Sequence, residues 1–280
     1  MAMSKRKRTR VIRVVQYAVL VVVVAGFAAT ADWGRLADAF FDLDVASGMF
    51  PDVITVALVN TLIYTGLGFG FGLVVGLVLA LMRLSGVPAY RWLAGIYIEF
   101  FRGLPALLVI LAIGSGIPLA FPGTNLDRYV SIMIALGIVA SAYMAETIRA
   151  GIQAVPKGQV EAARSLGMSS GRAMLWIVVP QAFKIILPPL TNELILLTKD
   201  SSLVLFLGSS QLQYELTQFG RTELNQSRSL TPVLVAGMCY LIITIPLSYL
   251  SRYLERRTGG TRIRSAEATE IVDTELEATK

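Results

Sequence analysis

Glu193, Lys199 and Asp200 stand inside or beside a run of apolar residues, where a charge is costly unless it is paired or faces water. Asn192 precedes the first of them, Ser201 and Ser202 follow the last, and Asn60 and Thr61 interrupt a second apolar run. These polar groups are the chain's first functional candidates; the alternative is that they satisfy one another within a helix bundle. Bond-making chemistry finds little support. The chain has no His, which removes His-based metalloprotease motifs and Ser-His triads. A Ser–Lys dyad stays formally open, but nothing marks one Ser as a nucleophile. No Gly-x-x-x-x-Gly-Lys-Ser/Thr sequence occurs, and no Lys is followed by Ser or Thr, so the chain has no P-loop for ATP. Cys239 is the only Cys, so neither an intrachain disulfide nor a cysteine-based metal site can form, and no metal site is expected.

The elements that must position these groups are apolar and long. Hydrophobic residues make up 55% of the 280 residues and charged ones 16%, with a mean hydropathy of +0.64. That composition does not suit a soluble domain of this length. Uncharged runs cover residues 14–31, 53–82, 103–126, 129–145 and 229–251, each about as long as the roughly 17–25 residues of a spanning helix. A sixth candidate, 185–207, is interrupted by Glu193, Lys199 and Asp200. The expected fold is an all-α polytopic membrane protein with about six transmembrane helices. Residues 1–13 read as a basic cytoplasmic arm, 14–31 as the first span and 32–52 as an external linker whose acids (Asp38, Asp42 and Asp44) are solvated. Residues 53–251 form the main transmembrane domain, and 252–280 a polar, flexible cytoplasmic tail.

Basic residues set the orientation, because Lys and Arg in short flanking segments stay cytoplasmic. With the first span running outward, most of the 25 Lys and Arg residues fall on the cytoplasmic side; the exceptions are Arg35, Arg128, Arg221 and Arg228, with Lys199 near a span end. Both termini are then cytoplasmic. This asymmetry accounts for the pI near 9.5, so no nucleic-acid partner is needed. The basic start, apolar stretch and Ala29-Thr30-Ala31 also imitate a cleavable secretory signal; cleavage would leave five spans without inverting the rest. Gly68, Gly72 and Gly76, continued by Ala80, recur every four residues and form one helix face that lets a second helix approach closely, although glycine is frequent in membrane helices generally.

Residues 146–180 lie between two apolar segments yet are polar and helix-competent, which suits a docking loop of two short helices. Pro156 and Gly158 punctuate the exit from the preceding span. Residues 159–166 can form a short helix that Gly167 ends. On it Glu161 and Arg164 are near neighbours, while Ala162 and Ala163 leave room for a close partner surface. A second helix is expected over 170–179, before Pro180. A solvated cytoplasmic loop is the plain alternative. Glu99 with Arg102, and Glu146 with Arg149, are three apart and suit local ion pairs at the cytoplasmic interface. Lys199 and Asp200 suit a pair near the outer end of their span, and Pro105 permits a bend early in the third span.

Four ordered motifs carry a resemblance: FFRGLP at 100–105, AETIRAGIQAVPKGQVEAARSLG at 145–167, PQAFKIILPPLTNELI at 180–195 and KDSSL at 199–203. Glu161-Ala162-Ala163 followed by Gly167, and then by Ile177 and Pro180, resembles the EAA loop of ATP-binding-cassette importer permeases. The ordered set resembles the polar amino-acid branch of that family over roughly residues 50–253. Two positions depart from the pattern: Val179 stands where leucine is usual, and Ser201 where threonine is frequent. The resemblance implies an assembly in the plasma membrane of a prokaryote. It comprises two permease subunits (a homodimer or related chains), two ATPase subunits and an extracytoplasmic solute-binding protein. ATP and Mg would be bound by the partner ATPase, and the permease itself would not be an enzyme. Gly158, Gln159, Glu161, Ala162, Ala163, Arg164 and Gly167 would form the coupling helix seated on that ATPase.

An amino-acid substrate carries an ammonium and a carboxylate group, so its site needs acceptors and donors; Glu193 suits the ammonium group, and Asn60, Thr61, Asn192, Ser201 and Ser202 suit a polar path, unless these groups satisfy one another within the bundle. Glu99, Arg102, Glu146, Arg149, Lys199 and Asp200 are assigned to structure or gating. Two other classes stand beside this reading. An ATPase-independent carrier or channel for small polar solutes leaves the polar loop unexplained, and a membrane-bound enzyme lacks a clustered catalytic set.

Overall fold

The computed structural model describes residues 5–121, 127–208 and 210–258. The expectation of a flexible tail falls outside them from residue 259 on, as does the extreme N-terminus of the basic arm. In chain order the helices are α1 (Lys5–Thr30), α2 (Trp33–Phe40), α3 (Leu43–Gly48), α4 (Val59–Leu84), α5 (Pro88–Gly103), α6 (Ala106–Ala120) and α7 (Arg128–Gln153). They continue with α8 (Lys157–Ser165), α9 (Ser170–Ala173), α10 (Val179–Asp200), α11 (Leu216–Ser227) and α12 (Thr231–Arg257). A π-helical stretch, Val53–Leu58, leads into α4; another, Met174–Val178, joins α9 to α10; and a 3-10 segment, Ser201–Leu207, extends α10.

Among the described residues five helical stretches are long and apolar enough to cross a membrane: Arg10–Thr30, Val53–Leu84, Arg128–Gln153, Ser170–Leu207 and Thr231–Arg257. The pair α5 and α6 passes the same test only together, as one broken span or a re-entrant loop. The sequence places a span at 103–126 with a bend permitted at Pro105, and the chain breaks there outright, forming α5 and α6 at 109° to each other. The cause is local: the residue before a proline is pushed out of the α region, and Leu104 (φ −97°, ψ 144°) and Pro105 (φ −59°, ψ 131°) are both extended. Pro105 therefore caps α6 rather than bending it from within.

Three further boundaries differ from the sequence reading. Helix α1 begins at Lys5, so the basic arm and the first span are one helix, and α12 continues past 251 to Arg257. Residues 32–52 are largely helical instead of forming a plain linker. Asp32 accepts a hydrogen bond from the Arg35 N–H, and Asp42 accepts from those of Asp44 and Val45. These two acids are thus N-caps, which satisfy orphan amide donors.

The centre of the bundle is the contact of α4 with α7. A Cβ added at Gly68 would lie 2.9 Å from the Leu136 Cβ; at Gly72, 3.0 Å from the Ala140 Cβ; and at Gly76, 3.0 Å from both the Met144 Cβ and the Ser141 carbonyl oxygen. Ala80 extends the same fully buried stripe. In lipid, where association rests on close packing rather than on exclusion of water, small residues let the backbones approach. Tyr64, Ile110, Ile132, Leu136, Met144 and Leu197 fill the adjoining core. A second cluster of Met49, Val53, Ala57, Leu216, Ala236 and Cys239 joins α3, α11 and α12 at the far end of α4.

Candidate functional site

Helix α8 stands apart from the bundle after a sharp exit from α7. Pro156 is its N-cap residue, and the helix ends as a Schellman motif. Gly167 (φ +87°) donates its N–H to the Arg164 carbonyl at 3.0 Å, and Met168 donates to the Ala163 carbonyl at 3.1 Å. That left-handed position favours glycine. Gly158, Gln159, Glu161, Ala162 and Arg164 are exposed, and Leu166 projects with 87% of its surface accessible. Ala163 is different. It is 6% exposed and turned toward the chain, so it seats α8 instead of leaving room for a partner. Val155 and Val178 form the buried support beneath α8, with Val160 packed on them. Helix α9 opens the second helical part of the loop, but the helical path does not stop before Pro180 and passes through the π stretch into α10. The π stretch lets the Val179 N–H reach the Met174 carbonyl, so Pro180 enters in the first turn of α10 and the helix runs on. Pro180 brings no N–H to the ladder, and the i→i−5 spacing of the π stretch just before it accommodates the missing bond within the continuous helix.

The polar candidates within the spans separate into three places. Glu193 and Asp200 line one cavity of about 190 Å³, walled also by Ala106, Val139, Ala140, Tyr143, Leu196 and Leu197. Asn192, though adjacent in sequence, points elsewhere: its Oδ1 accepts a hydrogen bond from the Ser251 hydroxyl at 2.8 Å, beside a hollow bordered by Pro188, Pro189 and Glu255. Asn60 and Thr61 form a clamp. Asn60 donates to the carbonyls of Leu212 (2.9 Å) and Tyr214 (3.1 Å) and accepts from the Tyr129 hydroxyl at 3.2 Å. Thr61 accepts the Leu216 N–H at 3.1 Å, and Tyr64 donates to the Gln213 carbonyl at 2.7 Å. Ser201 is fully buried and donates to the Thr198 carbonyl at 2.7 Å. Ser202 follows it, partly exposed. Asn60, Thr61, Asn192, Ser201 and Ser202 are therefore absent from the walls of the Glu193 cavity.

Of the three expected ion pairs one forms. Arg149 holds Glu146 through Nη2–Oε2 at 2.6 Å and Nε–Oε1 at 3.1 Å, a bidentate geometry. Its remaining Nη1 donates to Gln153 at 2.6 Å. Among the described residues Glu99 and Arg102 make no salt bridge; the Arg102 guanidinium instead lies 5.7 Å from the centre of the Tyr143 ring. Lys199 and Asp200 make none either, because consecutive helical residues point in different directions.

Sequence reasoning missed Glu215, the N-cap of α11. Only 1% exposed, it accepts from the N–H groups of Thr217 and Gln218, both at 2.7 Å, and from the Tyr240 hydroxyl at 2.8 Å. Burial pushes its pKa up to about 7 despite those donors. No motif marks it, since its partner Tyr240 is contributed by a different helix.

Comparisons with known proteins agree with this architecture. Residues 72–260 match the family described as binding-protein-dependent transport system inner membrane component. The probable glutamine ABC transporter permease protein GlnM of Bacillus subtilis (strain 168) is 39% identical over 71% of this chain and 89% of its own length. The arginine transport system permease protein ArtQ of the same organism is 37% identical over 66% and 83%, respectively. A crystal structure of an amino acid ABC transporter with histidines matches with a TM-score of 0.67 at 37% identity, covering 76% of this chain and 96% of that one. With a match spanning most of the chain, a bundle of the same fold and the polar helix α8 set outside it, this chain belongs to the inner membrane components of binding-protein-dependent transport systems.

Proposed function

We propose that this chain forms the translocation path of an ATP-driven importer for a polar amino acid and is coupled to a separate ATPase through α8. The observation that carries the reading is the placement of α8. Its inner side, with Val160 packed on the cluster of Val155 and Val178 and Ala163 buried, holds it to the bundle, while Gly158, Gln159, Glu161, Ala162 and Arg164 are exposed. A short helix held this way transmits a push from a partner into the long helices on either side. ATP and Mg belong to that partner. A second permease subunit and an extracytoplasmic binding protein complete the assembly, and both termini are cytoplasmic, as the distribution of Lys and Arg favours.

The substrate class is supported by two lines. Relatives at 39% and 37% identity are named for glutamine and arginine transport, and the Glu193–Asp200 cavity offers carboxylates to an ammonium or guanidinium group. Acids at membrane depth are costly and belong where a polar solute meets them. The experiment is co-purification of the ATPase with wild-type chain and with Glu161→Arg, at equal membrane expression, followed by ATP-dependent uptake of labelled amino acids in vesicles. Loss of association together with uptake is expected. Normal association and uptake in the variant would overturn the coupling role and favour an ATPase-independent carrier.

A further inference from the structure

Helix α2 lies outside the residues matched by the family, and its form sets it apart from a connecting loop. On a helical projection Trp33, Leu36, Ala37 and Phe40 share one face, with Arg35 and Asp38 on the opposite one. Trp33 is 59% and Leu36 42% exposed, and Phe41 and Leu43 continue the uncovered apolar surface.

Both ends of α2 are pinned to ends of spans. At its start, the Trp33 indole N–H donates to the Ala28 carbonyl at 2.7 Å, capping the last turn of α1 and fixing the corner between the two helices. At its finish, the Ala39 carbonyl accepts the Leu230 N–H at 2.8 Å and the Ser229 hydroxyl at 3.0 Å, and the Asp42 N–H donates to the Thr231 hydroxyl at 3.0 Å. Thr231 is the first residue of α12, and Thr30 the last of α1. If the six spans cross the bilayer alternately, both residues lie on the face of the membrane opposite α8. A helix tied at each end to that boundary runs along it, and its polar side carries the exposed Arg35–Asp32 pair.

We infer that α2 is an interfacial helix whose Trp33–Leu36–Phe40 face is covered by the lipid leaflet opposite α8, sunk roughly 5–10 Å into the headgroup and acyl boundary. Trp is suited to that depth, because its ring is apolar and its N–H needs a partner, here supplied by Ala28. The helix thereby braces α1, which buries none of its apolar window against the rest of the chain, to the outer end of α12.

The test uses the full chain in nanodiscs. In a Trp92→Phe, Trp176→Phe background, Trp33 is the sole Trp and is read by excitation beyond the Tyr absorption band. Lipids brominated near the glycerol end of the acyl chain are expected to quench it more strongly than lipids brominated near the terminal methyl, with aqueous iodide weakest. In parallel, a membrane-impermeant maleimide should label Asp38→Cys several-fold faster than Leu36→Cys; the native Cys239 is buried, and wild-type labelling checks that background. Equal labelling rates with strong iodide quenching would overturn the inference in favour of a solvent-facing helix. Absence of lipid quenching with a protected Leu36→Cys would overturn it in favour of a protein partner, including a second copy of this chain.

Discussion

The Glu215 carboxylate accepts a hydrogen bond from the Tyr240 hydroxyl at 2.8 Å, and among the described residues no Lys or Arg lies within salt-bridge distance of it. Desolvation therefore dominates, and the carboxyl titrates at about 7 instead of the ordinary 4.5. Between those values the folded protein keeps a proton that the unfolded chain has released. Stability is thus fully present below about 4.5 and is lost as the pH climbs through about 7. At about 1.4 kcal/mol per pKa unit, the loss is on the order of 3 kcal/mol. Thermal unfolding in nanodiscs between pH 5 and 8 should show a falling midpoint for wild type and a nearly flat one for Glu215→Gln. A wild-type midpoint that rises with pH would contradict the assignment.

The α4–α7 contact makes a second prediction, because its glycines differ in what surrounds them. A side chain at Gly72 meets Ala140 and the Gly137 carbonyl, whereas a Cβ at Gly70 finds nothing within 4 Å. Gly72→Val should destabilise the bundle by about 1–3 kcal/mol through overpacking, and Gly70→Ala should be neutral or slightly stabilising. Midpoints of heat-induced loss of the monodisperse peak on size exclusion would separate the two. Equal effects would mean that α4 and α7 are not held at this distance in the membrane.

Much of this bundle was legible because its signals are local. The apolar runs 53–82 and 129–145 fall within long spans and 229–251 overlaps one, Gly167 ends α8, and the four-residue glycine stripe marks a close helix contact, though spacing does not say that α7 makes it. What escaped depends on tertiary contacts or on competition between neighbours. Pro105 marks a bend in the sequence, but the 109° angle between α5 and α6 at Leu104–Pro105 has no counterpart in the hydropathy. The helices within 32–52 are too short to reveal themselves, and they gain their order from Asp caps and from bonds to residues 229–231. Asn192 and Glu193 are consecutive, so composition grouped them, while helical geometry sends one toward Ser251 and the other into the cavity.

The two alanines of the Glu161-Ala162-Ala163 motif should now separate in function. Ala163 is buried and Ala162 exposed, so Ala163→Asp should loosen α8 itself. Burying an unpartnered polar group costs about 1–3 kcal/mol, and increased protease cleavage within 154–170 would report it. Ala162→Asp should leave cleavage unchanged and weaken ATPase association. Identical protease patterns for the two variants would remove the distinction between a seating face and a docking face.

The cavity prediction rests on the same contrast between neighbours. If Glu193 and Asp200 receive the cationic end of the solute, Glu193→Gln and Asp200→Asn should depress uptake of a cationic amino acid more than that of a neutral one. A hydrogen bond to a charged group is worth about 1.5–3 kcal/mol, which corresponds to roughly tenfold or more in apparent affinity. Asn192→Ala should leave the ratio between the two solutes unchanged, because its side chain is engaged with Ser251 and takes no part in the cavity wall. Competition between labelled arginine and glutamine, measured in vesicles containing the complete transporter, provides the readout. A changed ratio in Asn192→Ala, with unchanged ratios in the two acid variants, would move the solute path away from the cavity and to the opposite face of α10.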